Sequence, residues 1–175
     1  MLRCSIASPP IPSAIVVLPL STKRFTDKDF DALDRGGVRG VRFNFVKHLG
    51  GAPDMAAFNR VIDRIKGRGW HVVLHVDAPD VIPLSVMMRK LPLPFIIDHM
   101  GRVPSAAGID QPPLRALIEL SRLENCWIKV CGSERISMPP YTAAVPIAHA
   151  FVEAAPVRVF MGHRFSTPER NPRSR

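Results

Sequence analysis

An imidazole at the end of an apolar run is the first feature of this sequence that can do chemistry. His99 follows Phe95, Ile96 and Ile97, and a histidine that closes a buried strand can polarise a carbonyl or bind a metal. A core histidine hydrogen-bonded to backbone is the plainer alternative, and Asp98 beside it competes for the same role. Arg42 lies inside another apolar run, where a buried guanidinium needs anionic partners. Bidentate binding of a carboxylate ligand meets that need, and so does an internal ion pair with Asp77 or another acid. Lys47, just beyond the same run, either holds a second carboxylate or is simply solvated. His75 and Asp77 are two residues apart, so on a strand they point to the same side, where they orient a ligand or make structural hydrogen bonds.

Side chains of these types work together only if the elements carrying them converge. Short β-type runs at 14–18, 38–45, 71–77, 94–99, 126–131 and 157–161 alternate with helical stretches. Thr26 caps a helix over 27–35 before Gly36 and Gly37, and Asp54 caps one over 55–66 before Gly67. Stretches 80–90, 111–122 and 141–154 supply the remaining helices, with Pro83 and Pro112 expected in first turns, where the ring is tolerated. Strict alternation of this kind predicts a parallel sheet with right-handed crossovers.

Parity chooses between an open sheet and a barrel. Val41, Phe43 and Phe45 share one face while Arg42 and Asn44 share the other. Val72, Leu74 and Val76 oppose His71, His75 and Asp77, and Lys129 opposes Ile128 and Val130. One polar and one apolar face, with polar groups gathering toward the C-terminal ends, fits a barrel whose mouth carries the reactive groups. A doubly wound sheet buries both faces and usually carries a glycine-rich first turn; neither GxGxxG nor GxxxxGK[ST] occurs here.

Composition narrows the classes. With 46% hydrophobic and 22% charged residues, the 175-residue chain reads as one globular domain. Every apolar run is interrupted well before bilayer-spanning length, and Pro9, Pro10 and Pro12 break the only candidate signal-peptide core, so the expectation is a cytoplasmic chain with no membrane partner. Cys4, Cys126 and Cys131 form no CxxC pair, and Cys126 and Cys131 read as reduced, buried strand residues. The net charge of +9 includes +3 from the segment after Gly162, where four arginines face one glutamate. The remaining basic residues are scattered rather than gathered in a stripe with aromatics, which argues against specific nucleic-acid binding.

The stretches GVRGVRFNFVKHLGG (37–51), WHVVLHVDAPD (70–80), LPFIIDHMGR (93–102) and NCWIKVCGSERIS (125–137), in this order, resemble the 2-pyrone-4,6-dicarboxylate lactonases of the amidohydrolase superfamily. The resemblance implies a TIM-barrel hydrolase that opens a lactone in aromatic-compound catabolism. It implies His99 as the group that polarises the lactone carbonyl, and Arg135 as a contact to a substrate carboxylate; a loop salt bridge with Glu134 is the alternative for Arg135. The superfamily often uses zinc or another divalent ion, whereas the pyrone dicarboxylate lactonases work without one, and no catalytic metal is expected here.

Family members have eight strands, with a His-x-His motif on the first and a Gly-Thr-Asp-x-Pro-His-Pro-Asn motif on the last, whose Asp is the base. Neither motif occurs in this sequence. By resemblance the six runs correspond to the third to eighth strands, so the fold class expected is α/β, an incomplete (β/α)8 barrel with five intervening helices. The segment from Met161 to Arg170, given suitable synonymous codons and read one base later, encodes Trp-Gly-Thr-Asp-Phe-Pro-His-Pro-Asn. A frameshifted gene is therefore expected, with residues 1–24 and 162–175 as non-native ends and 1–175 as a single partial domain. Half of the family's machinery would then be present and the chain inactive, with a small-molecule carboxylate as its ligand. The alternative is a non-catalytic β/α module that associates, with itself or another chain, through open barrel edges.

Overall fold

The computed structural model describes residues 15–17 and 25–162. Strands and helices alternate as β1 (Ile15–Val17), α1 (Asp27–Arg35), β2 (Gly40–Asn44), α2 (Met55–Ile65), β3 (His71–His75), α3 (Ala78–Arg89), β4 (Phe95–Ile97), α4 (Pro112–Ser121), β5 (Cys126–Val130), α5 (Val145–Ala154) and β6 (Val159–Met161). All six strands are parallel and pair in chain order, leaving an open sheet with β1 and β6 at its edges. This is the α/β architecture of an incomplete TIM barrel, as the alternation of runs predicts. The ends set apart in the sequence, 1–24 and 162–175, lie outside the described residues except for Ile15–Val17 and Gly162.

Local chemistry explains the helix starts. Thr26 and Asp29 form a reciprocal capping box on α1, the Asp29 carboxylate accepting from the Thr26 amide at 2.7 Å. Asp54 accepts from the amides of Ala56 and Ala57 at the head of α2. Three expectations need correction. The third helix begins at Ala78, earlier than the expected 80, because Pro79 suits the first turn; Pro83 therefore lies inside the helix rather than in its first turn. The last helix begins at Val145 rather than 141, because Tyr141 takes a left-handed backbone (φ 65°) and a 3-10 turn, Thr142–Ala144, intervenes. The fourth strand stops at Ile97 instead of 99, because His99, Met100, Gly101 and Arg102 all have positive φ between 51° and 61°. No described helix is long and apolar enough to cross a membrane.

Parity sorts the sheet into two faces as expected. Val41, Phe43, Val72, Leu74, Phe95 and Ile128 belong to the main core, together with the buried sides of the helices. Phe58 of α2 packs on Phe43 at 4.5 Å and Phe45 at 6.1 Å between ring centroids. Trp70, entering β3, packs edge-on against Phe30 and donates to Asp34 at 2.6 Å. On the opposite face Val73, Ile96 and Trp127 lie side by side in register and form a second cluster with Phe160. That inner face, not the helix-covered one, carries the polar groups.

Candidate active site

Asp98 organises the inner face. It directly follows β4, is fully buried, and its carboxylate faces two cations: Arg42 Nη1 at 2.6 Å from Oδ2 and Lys129 Nζ at 3.3 Å from Oδ1. The Arg42 contact is an ion pair without hydrogen-bond alignment at Oδ2. Burial pushes the carboxyl pKa up, but Arg42, His99 and Lys129 outweigh it and hold Asp98 below the ordinary carboxylate value. Register explains the convergence: Arg42 is level with Val73 and Ile96, and the next inward positions are His75, Asp98 and Lys129.

His99 stands against this centre because of the left-handed turn that begins with it. By simple alternation, a residue next to inward-facing Asp98 turns toward the helices. The φ of 51° instead brings His99 Nε2 to 3.4 Å from Asp98 Oδ2 and Nδ1 to 3.2 Å from Cys131 Sγ. Non-glycine residues in this backbone region each cost about 1 kcal/mol or more, and such strain gathers at functional sites. Gly132, at φ 72°, closes the other side: a Cβ there would lie 2.5 Å from His99 Nδ1. His75 packs edge-on to His99 at 5.2 Å, is 3% exposed, and leaves Nε2 without a hydrogen-bond partner. Burial first, then the charges of Arg42 and His99, hold its pKa down to about 3, so His75 is neutral at physiological pH.

The structure brings three of the six sequence candidates, Arg42, His75 and His99, around one carboxylate. Arg42 takes the internal ion pair that was its alternative reading, with Asp98 and not Asp77. Asp77 is paired elsewhere, accepting from Arg102 Nε, and with exposed Lys47 it lines a separate cavity of about 400 Å³ at the start of α3. His75 and Asp77 therefore do not act as one pair. Arg135 sits in a 3-10 turn, Ser133–Arg135, that packs on the His99 turn, with Nε 3.6 Å from Glu134 and making no hydrogen bond. Two residues of the site were not singled out as candidates in the sequence: Lys129 and Cys131. The inward parity of Lys129 was a usable signal; nothing local marks Cys131.

Asp98, His99 and Cys131 offer donor atoms within 4.8 Å of one another, the spacing of a metal site. The set suits a divalent ion poorly. Both carboxylate oxygens already face cations, so a divalent ion would have to displace Arg42 or Lys129 from Asp98. A divalent ion here would meet two fixed positive charges and one shared negative one.

Comparison with known proteins agrees with the fold. The family described as Amidohydrolase matches residues 1–161. A 4-sulfomuconolactone hydrolase of Rhizobium radiobacter is 39% identical over 151 residues, 84% of this chain and 50% of that protein. A 2-pyrone-4,6-dicarboxylate hydrolase of Comamonas testosteroni is 33% identical over 157 residues, 83% of this chain and 52% of that one. Among solved structures, a candidate 2-pyrone-4,6-dicarboxylic acid hydrolase from Pseudomonas putida superposes with a TM-score of 0.75 at 27% identity, covering 89% of this chain and 57% of that one. The chain thus spans about half the length of the curated relatives it matches. It belongs to the Amidohydrolase family and is related within it to lactone hydrolases.

Proposed function

We propose that this chain carries the carboxylate-binding and carbonyl-polarising half of a lactonase for ring polycarboxylates of the 2-pyrone-4,6-dicarboxylate type. The observation that supports it most is the meeting of Arg42, Lys129, His75 and His99 around buried Asp98 at the C-terminal ends of β2 to β5. In this reading Arg42 and Arg135 hold substrate carboxylates, His99 polarises the lactone carbonyl, and neutral His75 orients the ring, while Lys47 and Asp77 line the separate cavity and take no part. The family's Gly-Thr-Asp-x-Pro-His-Pro-Asn motif, which carries the base that activates water, does not occur in this sequence, so in this reading the chain itself binds without hydrolysing, and no metal takes part.

Calorimetric titration of the chain with 2-pyrone-4,6-dicarboxylate, followed by the absorbance of the ring, tests this. Binding that is lost in Arg42→Ala, without ring opening, is the expected result. No binding defeats the reading, and ring opening by the chain alone defeats its inactivity.

A second reading, association through the sheet edges, draws on 81% exposed Met161 on β6 and 37% exposed Ile15 on β1. It expects concentration-dependent sedimentation that charged substitutions at these positions abolish; unchanged sedimentation in those variants rejects it.

A further inference from the structure

The outer face of α3 breaks the pattern set by its neighbours. A barrel helix turns its outer side to water and there carries charge. The exposed residues of α2 include Arg60, Asp63 and Lys66, and those of α4 include Arg115 and Glu119. Between Asp80 and Arg89, by contrast, α3 has no charged residue. Its outward stripe is Pro79, Ile82, Pro83 and Val86, spaced as one helix face, with Ile82 49% and Val86 60% exposed. The lone hydroxyl within that run, on Ser85, donates back to the Ile82 carbonyl at 2.7 Å. The open sheet edges do not explain the exposure, because α3 joins β3 and β4 at the middle of the sheet. Charge of opposite sign marks the two ends of the stripe. Asp80 lies in the first turn, Arg89 and Lys90 close the last, and none of the three makes an ion pair among the described residues. An apolar stripe with an acid at one end and bases at the other is complementary to its own reverse.

We propose that α3 is the interface of a symmetric homodimer, packed antiparallel on the α3 of a second copy of this chain. With the two-fold axis passing between Leu84 and Ser85, Pro83 of each copy comes level with Val86 of the other, and Asp80 comes level with Arg89, beside Lys90. The symmetry repeats that ionic contact at both ends and sets the two helix dipoles antiparallel. Proline, isoleucine and valine lose little rotamer freedom on docking, which suits a small patch. A helix of 12 residues is about 18 Å long. The pair therefore buries less than the roughly 1,200 Å² of a standard interface, and it is a weak one with a Kd of about 10–100 μM.

Sedimentation equilibrium of the full chain from about 5 to about 500 μM, bracketing that Kd, tests the proposal. A monomer–dimer equilibrium is expected. Val86→Glu is expected to weaken it about tenfold or more, whereas Ile15→Glu and Met161→Glu, at the sheet edges, leave it unchanged. Asp80→Lys puts like charges at both ends of the pair, and so does the double variant Arg89→Glu with Lys90→Glu; each is expected to weaken the dimer about tenfold. Mixed in equal amounts, these two variants should dimerise with nearly the parent affinity, because each end then brings opposite charges together again. Circular dichroism checks that every variant folds, and Val86→Gln replaces Val86→Glu if the latter does not. A chain that is monomeric throughout overturns the proposal, as does a mixture no tighter than its two components. A dimer that withstands Val86→Glu but is lost in Ile15→Glu or Met161→Glu also overturns it and assigns association to the sheet edges instead.

Discussion

Replacing Gly132 with alanine tests how His99 is held. Two costs follow from the structure. The backbone at Gly132 is left-handed, φ 72° and ψ 40°, which costs an alanine about 1–2 kcal/mol. The added Cβ also falls 2.5 Å from His99 Nδ1, about 1 Å inside normal carbon contact distance. His99 cannot retreat cheaply, being 3% exposed and fixed by Asp98, Cys131 and its own strained turn. Overpacking of this kind adds about 1–3 kcal/mol. The total, about 2–5 kcal/mol, is a large share of an ordinary domain stability of about 5–15 kcal/mol and predicts a Tm lowered by roughly 4–20 °C. Gly51→Ala is the control, since Gly51 has φ 73° but no atom within 4 Å of the added Cβ, so only the backbone cost applies. Thermal unfolding followed by circular dichroism measures both variants. In a His99→Ala background the cost of Gly132→Ala should fall toward that of Gly51→Ala, with Arg135 Cδ at 3.2 Å as the remaining close contact. If Gly132→Ala costs no more than Gly51→Ala in the parent chain, the close packing of His99 under the loop is wrong.

Four further outcomes follow from the structure. His75 is neutral when folded, with a pKa near 3 against 6.5 unfolded, so the unfolded chain binds more protons in between and stability falls as pH drops from about 6.5 toward 3. At about 1.4 kcal/mol per unit this is on the order of 5 kcal/mol, and urea midpoints for His75→Gln should vary less over that range than those of the parent chain. Asp98 is displaced in the same direction: its lowered pKa adds stability that is present above the ordinary carboxylate value and lost as pH falls through its folded pKa. Phe58→Ala removes a ring that bridges Phe43 and Phe45 and should cost about 3–5 kcal/mol in chemical denaturation, whereas a loss below 1 kcal/mol would mean that α2 does not seat on β2 as described. Cys131, its thiol pushed up to about 11, should react with iodoacetamide at pH 8 about a hundredfold more slowly folded than in urea, as read by mass spectrometry; equal rates would show a thiol not buried against His99.

The periodic features of the sequence settled the architecture. Alternation of apolar and polar residues within 38–45 and 71–77 assigns Arg42 and His75 to the face opposite Val41, Phe43, Val72 and Leu74, because side chains on a strand must alternate, and the structure keeps that assignment. Capping at Thr26 and Asp54 is likewise local, so both helices begin where the sequence places them. The site was legible only in part. Alternation carries no information about a turn that reverses it, and four successive left-handed residues move His99 from the helix side to the side of Asp98. Pairing was also undecidable from the chain, because Arg42 had several acids to choose from. The choice of Asp98 over Asp77 depends on strand register, which sets Arg42 diagonally opposite Asp98 while Arg102 of the turn claims Asp77. Lys129 had the right parity but no visible role until β5 was placed beside β4. Which face a side chain occupies is a property of its own strand; which charge it meets depends on strands distant in sequence, and only their assembly decides it.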